Sequence, residues 1–205
     1  SSNMFAVVSL RQISEIFKTI FLSLNAGNQF INIANEVDEA IKNYAIFDRK
    51  EFGKIYALEI DGFGNALFMD DANVPNLLSI PYLGYTSYHD EIYKNTRKFS
   101  LSTANPWFNE GKFAKGIGGP HVGENKIWPL GLIMQALTTD DDEEIFFCLK
   151  TLKNTHAGTG FIHESFDVNN PKDFSRSWFA WANTLFGELI LHLYEKKPEI
   201  LKRKF

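Results

Sequence analysis

Apolar residues recur at Phe5, Val8, Ile13, Ile16, Phe17, Ile20, Phe21 and Leu24, a spacing of three and four that lines them along one helical face. The reading is a helix over Met4–Leu24, stopped by Asn25-Ala26-Gly27, since Gly and Asn accept the left-handed backbone that ends helices. A second amphipathic helix follows, with Phe30, Ile33, Ala34, Val37, Ile41 and Tyr44 inward and Asn32, Glu36, Asp38, Glu39 and Lys42 outward. Two long helices joined so briefly predict an antiparallel hairpin. In the stretch 55–69, Gly62 and Gly64 separate two β-prone runs and predict a small β-hairpin.

Helical spacing returns at about Val74–Leu83, His89–Ser100, Ile127–Leu137, Asp140–Thr155 and Trp178–Lys196. Thr138-Thr139-Asp140-Asp141-Asp142 reads as a helix start, its carboxylates suiting the positive end of the helix dipole. Trp178 and Trp181 stand three apart on one face, so at least one is expected in the core. Two connections, Ser102–Lys126 and Ala157–Ser177, are long and rich in Gly and aromatic rings. Loops of that length inside a domain are either disordered or functional, and the rings argue against disorder. The expectation is one all-α domain over residues 1–205, interrupted by a small β-hairpin and presenting a face built of loops.

Charge and composition narrow the function. Among 205 residues, 21 Lys and Arg stand against 25 Asp and Glu, a net charge of −4, and the only dense basic run is Lys202-Arg203-Lys204. That offers no surface for neutralising phosphates, which excludes nucleic acid as the expected partner. No apolar run reaches the roughly 18 residues of a membrane span, because Arg11, Glu15, Lys18 and Glu188 interrupt the oily segments. The single cysteine, Cys148, sits in the apolar run Ile145-Phe146-Phe147-Cys148-Leu149 and reads as a small buried hydrophobe. It can form neither an intrachain disulfide nor a cysteine metal cluster, and the lack of disulfides favours the cytoplasm.

Aromatic residues reach 15%, and polar groups sit beside them in four stretches: Met69 to Pro75, Gly116 to His121, Gly158 to Phe166 and Trp178 to Asn183. Rings flanking carboxylates and amides suit a sugar, whose hydroxyls take hydrogen bonds while its C–H faces stack. Sugar hydrolysis also needs two carboxyl groups, one to protonate the leaving oxygen and one to activate water or attack. Other chemistries lack their spacing. His163-Glu164 is not a zinc-protease motif, because Asp167 stands where the second histidine belongs. No phosphate loop and no Gly-x-Ser-x-Gly elbow is present. On spacing alone, Asp70 and Asp71 serve either a site or a helix cap before Val74. Glu164, beside Phe161, Ile162 and Phe166, is either a solvated loop acid or a tuned carboxylate. His121 and His163 fit structural or catalytic roles.

Six stretches resemble glycoside hydrolase family 125: Ser2 to Val8, Met69 to Pro75, Gly116 to His121, Ile127-Trp128-Pro129, Gly158 to Phe166 and Trp178 to Leu189. They run in order along nearly the whole chain. The resemblance implies an exo-α-1,6-mannosidase with an (α/α)6 toroid fold that inverts the anomeric centre and needs no metal ion. It also implies mannose-containing oligosaccharides as partners, with no cofactor. Glu164, in His163-Glu164-Ser165-Phe166, matches the family's general base. Asp70, Asp71, Asn73, His121 and His163 fall in motifs that line its terminal-mannose pocket, with Trp178 as one wall. The family's general acid precedes the stretch matching Ser2 to Val8, so the resemblance implies roughly the C-terminal half of a toroid, its acid upstream.

Overall fold

Helix α1 (Ser2–Thr19) and helix α2 (Leu24–Tyr44) form the expected hairpin, but the break comes earlier than the sequence suggests. The chain turns at residues 20–23, where Leu22 takes a left-handed φ of 53°. Asn25-Ala26-Gly27 lies inside the first turn of α2. Gly27 is where the two helices approach: a Cβ there would stand 2.5 Å from Lys18 Cγ and 3.0 Å from the Ser14 carbonyl. The Ser14 hydroxyl donates to the Gly27 carbonyl at 2.7 Å.

The chain, described over residues 1–204 in a computed structural model, divides into two compact units. The first comprises Ser1–Met69 and Pro75–Phe99, the second Asp70–Val74 and the residues from Ser100 onward. In the first unit, Met4, Val7, Ala34, Ile41, Tyr56, Leu77, Ile80 and Tyr93 form the buried core. After α2, β1 (Ile46–Arg49) pairs antiparallel with β2 (Gly53–Tyr56), a hairpin the sequence did not announce. The predicted hairpin follows as β3 (Glu59–Ile60) and β4 (Ala66–Leu67). Its turn is held by the Asp61 carboxylate, which accepts from the Phe63 and Asn65 amides.

The helix expected over Val74–Leu83 is a series of turns instead. Asn76 and Ser79 exchange side-chain and backbone hydrogen bonds, which replace the helical ladder locally. Pro81 has no N–H to continue it. Helix α3 (Glu91–Ser100) then begins beneath Asp90, whose carboxylate accepts from the Tyr93 amide at 2.9 Å.

In the second unit, β5 (Phe108–Glu110) pairs with β6 (Lys115–Ile117), and β7 (Lys126–Ile127) leads into α4 (Pro129–Leu137). Helix α4 is buried on nearly every side. It packs against α5 (Asp142–Thr155) and, after β8 (Ser165–Asp167) and β9 (Asn170–Ser175), against α6 (Ala180–Lys196). A short α7 (Pro198–Leu201) closes the described chain. The acidic run before α5 is the expected helix start: the Asp141 carboxylate accepts from the Glu143 and Glu144 amides. Cys148 is fully buried in that helix. Strands β7, β8 and β9 form one antiparallel sheet, so both long connections carry strands. Over the described residues the fold is therefore helix-rich with four small sheets, a correction to the all-α reading with a single hairpin. No described helix is long and apolar enough to cross a membrane.

Candidate active site

Every candidate site residue lies in the second unit, in two clusters. The first is the strip Asp70–Val74, fastened at several points. Asn105, itself 1% exposed, imitates a strand partner: its carbonyl oxygen accepts from the Asp70 amide at 3.1 Å and its NH2 group donates to the Asp70 carbonyl at 3.0 Å. The Ala72 amide donates to the Gly118 carbonyl at 3.0 Å. Glycine is required opposite: a Cβ on Gly118 would stand 2.2 Å from the Lys126 carbonyl oxygen, and one on Gly119 would stand 3.3 Å from Asp71 Cβ. No helix begins at Val74, so Asp71 is not a helix cap. Its carboxylate instead accepts from the Asn73 amide at 2.7 Å in a local turn.

Burial raises the Asp71 pKa, and only partial relief comes from the Asn73 hydrogen bonds and the charge of His121. The strip thus sets Asp71 beside Asn73, within reach of the charge of His121. His121 is exposed, whereas Asp70 is completely buried.

The second cluster surrounds Glu164, at the start of the β8–β9 hairpin. Ser165 lies opposite Ser175 in the register, and this pairing places the Ser175 hydroxyl 2.9 Å from Glu164 Oε2, to which it donates. Its only proton is so used, and the Ser165 hydroxyl, 2.8 Å away, donates to Ser175 in turn. Arg176 Nε stands 3.3 Å from the other oxygen, Oε1. The Glu164 side chain is 16% exposed, so it is neither a freely solvated loop acid nor sealed off.

His163 precedes Glu164 in the chain. It is 1% exposed, stacked face to face on Phe174 at 3.9 Å, and its Nδ1 meets the Ser177 carbonyl at 3.1 Å. Its Nε2 is buried without a hydrogen-bond partner, as is the indole nitrogen of Trp128, and such atoms are few in native proteins. The Phe179 ring lies edge-on to Trp128 at 6.1 Å and under the Arg176 guanidinium at 5.3 Å. Trp178 precedes α6 rather than lying on it, and is 56% exposed, while Trp181 is 45% exposed. Neither packs in the core, contrary to the sequence expectation, because the helix begins only at Ala180 and its buried face is Ala182, Leu185, Leu189 and Leu193.

Sequence reasoning missed Ser175, Arg176 and Phe174, and placed Phe179 in a candidate stretch without giving it a role. The run Ser175-Arg176-Ser177 lay inside a connection already marked as functional, but only the strand register shows which of its side chains reach Glu164. Elsewhere in this unit, a cavity of about 260 Å³ is walled by Leu149, Leu152, Phe161, Ile162, Phe186 and Ile190. It includes none of the candidate residues.

A family profile described as metal-independent alpha-mannosidase (GH125) matches residues 1–191. The chain is 54% identical over 171 residues to the meiotically up-regulated gene 157 protein of Schizosaccharomyces pombe, an alignment covering 83% of this chain and 34% of that protein. It also superimposes with a TM-score of 0.92 and 46% identity on a solved Streptococcus pneumoniae chain from a family of metal-independent alpha mannosidases, in a non-productive substrate complex with alpha-1,6-mannobiose. That match covers 96% of this chain and 46% of the solved one, so the chain spans under half the length of these relatives. Shared across nearly its whole length, this sequence and fold place the chain in glycoside hydrolase family 125, the metal-independent alpha-mannosidases.

Proposed function

We propose that the protein to which this chain belongs hydrolyses terminal α-1,6-linked mannose from oligomannose glycans with inversion, and that Glu164 is its general base. The observation that carries the reading is the Glu164 carboxylate: largely shielded, hydrogen-bonded at one oxygen and ion-paired at the other, and set in a chain similar to a solved complex with alpha-1,6-mannobiose. A carboxylate that draws a proton from water must be oriented, and must keep lone pairs for that water. Ser175 occupies one of its roughly four lone-pair positions, and the Arg176 guanidinium faces the other oxygen as an ion pair.

Asp71, Asn73 and His121 hold the terminal mannose in this reading, with Asp70 and His163 as buried supports behind them and Trp178 as an exposed stacking wall. The general acid belongs to the upstream part of the protein, roughly 6.5–9.5 Å from the base, the separation that leaves room for a nucleophilic water. Both units form the C-terminal portion of an (α/α)6 catalytic domain.

The test is hydrolysis of α-1,6-mannobiose by the full-length protein, with the released anomer followed by NMR and a chelator in parallel. Chelator-resistant release of β-mannose is expected. Replacement of Glu164 by Gln should lower kcat by about 10²–10⁴, and wild-type turnover in that variant would refute the assignment. A second reading applies to the 205-residue segment alone, as an inactive half-toroid that binds mannosides weakly. The exposure of Ile20 (70%), Phe21 (64%), Leu191 (66%) and Tyr194 (70%) favours it. Turnover by the segment alone would refute this second reading.

A further inference from the structure

We propose that Arg176 is a positioning residue for catalysis: with Ser175 it locks the plane of the Glu164 carboxylate so that one face stays open to the attacking water. The proposal rests on Glu164 being the base. Three features point to it independently.

The contacts fall on different oxygens, Ser175 on Oε2 at 2.9 Å and Arg176 on Oε1 at 3.3 Å. A carboxylate held at one oxygen can still swing about its last torsion, and a cation facing the other oxygen favours one orientation of it. The serine side of the clamp has a rigid anchor, because Ser175 receives the hydroxyl of Ser165, which is 1% exposed.

The backbone of Arg176 takes a left-handed φ of 46°. A long side chain rarely adopts that conformation, and where it persists the surroundings enforce it, most often at functional sites. The turn directs the guanidinium back over the Phe179 ring at 5.3 Å as well as onto Glu164. Phe179 is itself fixed by its amide, which donates to the Ile162 carbonyl at 3.3 Å.

The Arg176 side chain is 62% exposed. An ion pair so open to water adds little to stability, so structural support does not account for a strained backbone and a dedicated aromatic platform. Loss of the guanidinium should therefore appear in turnover rather than in melting.

The experiment uses the full-length protein and α-1,6-mannobiose, comparing wild type with Arg176→Ala, Arg176→Lys, Arg176→Gly and Glu164→Gln. The glycine variant removes the side chain while relieving the backbone, and stands in if the alanine variant does not fold. Expected for Arg176→Ala is a kcat lowered about 10–100-fold, the scale of a misplaced catalytic group. KM should stay within about twofold and the melting temperature should not change. Added guanidinium ion should restore part of the lost turnover, and Arg176→Lys should keep part of it. Wild-type kcat in Arg176→Ala and Arg176→Gly would overturn the proposal, as would a loss that tracks a lowered melting temperature and ignores guanidinium. An inactive Glu164→Gln beside a fully active Arg176→Ala refutes the positioning role alone. An active Glu164→Gln refutes the base assignment, and the positioning role falls with it.

Discussion

The two units handle a carboxylate drawn out of water in opposite ways. In the first, Asp38 projects from α2 and accepts from Tyr85 at 2.7 Å, Arg11 at 2.8 Å and Lys42 at 2.9 Å. Burial pushes its pKa up, but these three donors outweigh burial, and the net shift is downward. In the second, Asp71 accepts from the amide of Asn73; burial prevails and its pKa is raised. An acid satisfied from every side supports a fold. One whose pKa is raised by burial is of the kind that gathers at sites. Glu164 belongs with Asp71 in its setting, among loops and strand ends, whereas Asp38 sits within a helical hairpin.

Mutations can break this contrast. The largest effect is expected from Glu164→Gln, with its loss of about 10²–10⁴ in kcat and little change in melting; Arg176→Ala follows at about 10–100-fold. Next comes glycine. Gly118→Ala should destabilise by about 3 kcal/mol and displace the Asp71 strip, because the new methyl group meets a backbone carbonyl that cannot move aside. Gly27→Ala in the hairpin should cost only about 1 kcal/mol, since its nearest obstacle is the flexible Lys18 side chain. Equal losses in urea titrations would erase the distinction.

Asp38→Ala should lower stability by about 1–3 kcal/mol, chiefly by stranding the Tyr85 hydroxyl, without touching catalysis directly. Because the Asp38 pKa is depressed on folding, the stability it confers is complete above the ordinary value of 3.8 and fades as pH falls through the lower folded value. Asp71 has the opposite sign. Its raised pKa makes the ionised form costly, so stability declines as pH climbs from 3.8 through the folded value. Asp71→Asn should flatten that decline in thermal melts taken across the acid range, and should lower kcat/KM about tenfold through a lost polar contact to the sugar. A variant with the wild-type decline would show that Asp71 is not its source.

The same contrast governs what the sequence made legible. The α1–α2 hairpin could be read because helical burial repeats every three to four residues over 18 and 21 residues. Even there, Gly27 looked like a terminator when it is a contact point between helices. The site resisted such reading. Strands of two to six residues carry too little periodicity to detect, and Ser175 reaches Glu164 only through the Ser165–Ser175 register. Asn76, Ser79 and Pro81 overrode an apolar pattern that mimics a helix. Glu164 and the Asp70–Asn73 strip became candidates through the resemblance, and spacing alone left their roles open.

The strip at Asp70–Val74 has a further consequence, for assembly. Five residues of the second unit are spliced into the first, so the backbone passes between the units three times, after Met69, Val74 and Phe99. During synthesis the strip emerges well before Asn105 and Gly118, the residues that fasten it. It must wait for some 30 to 45 residues of later chain, a non-local closure of the kind that slows folding. A cut at position 100 would leave the strip in one fragment and its fasteners in the other. The two units are therefore not exchangeable modules. Any permutation or shuffling of this protein has to carry those five residues together with the far half of the chain.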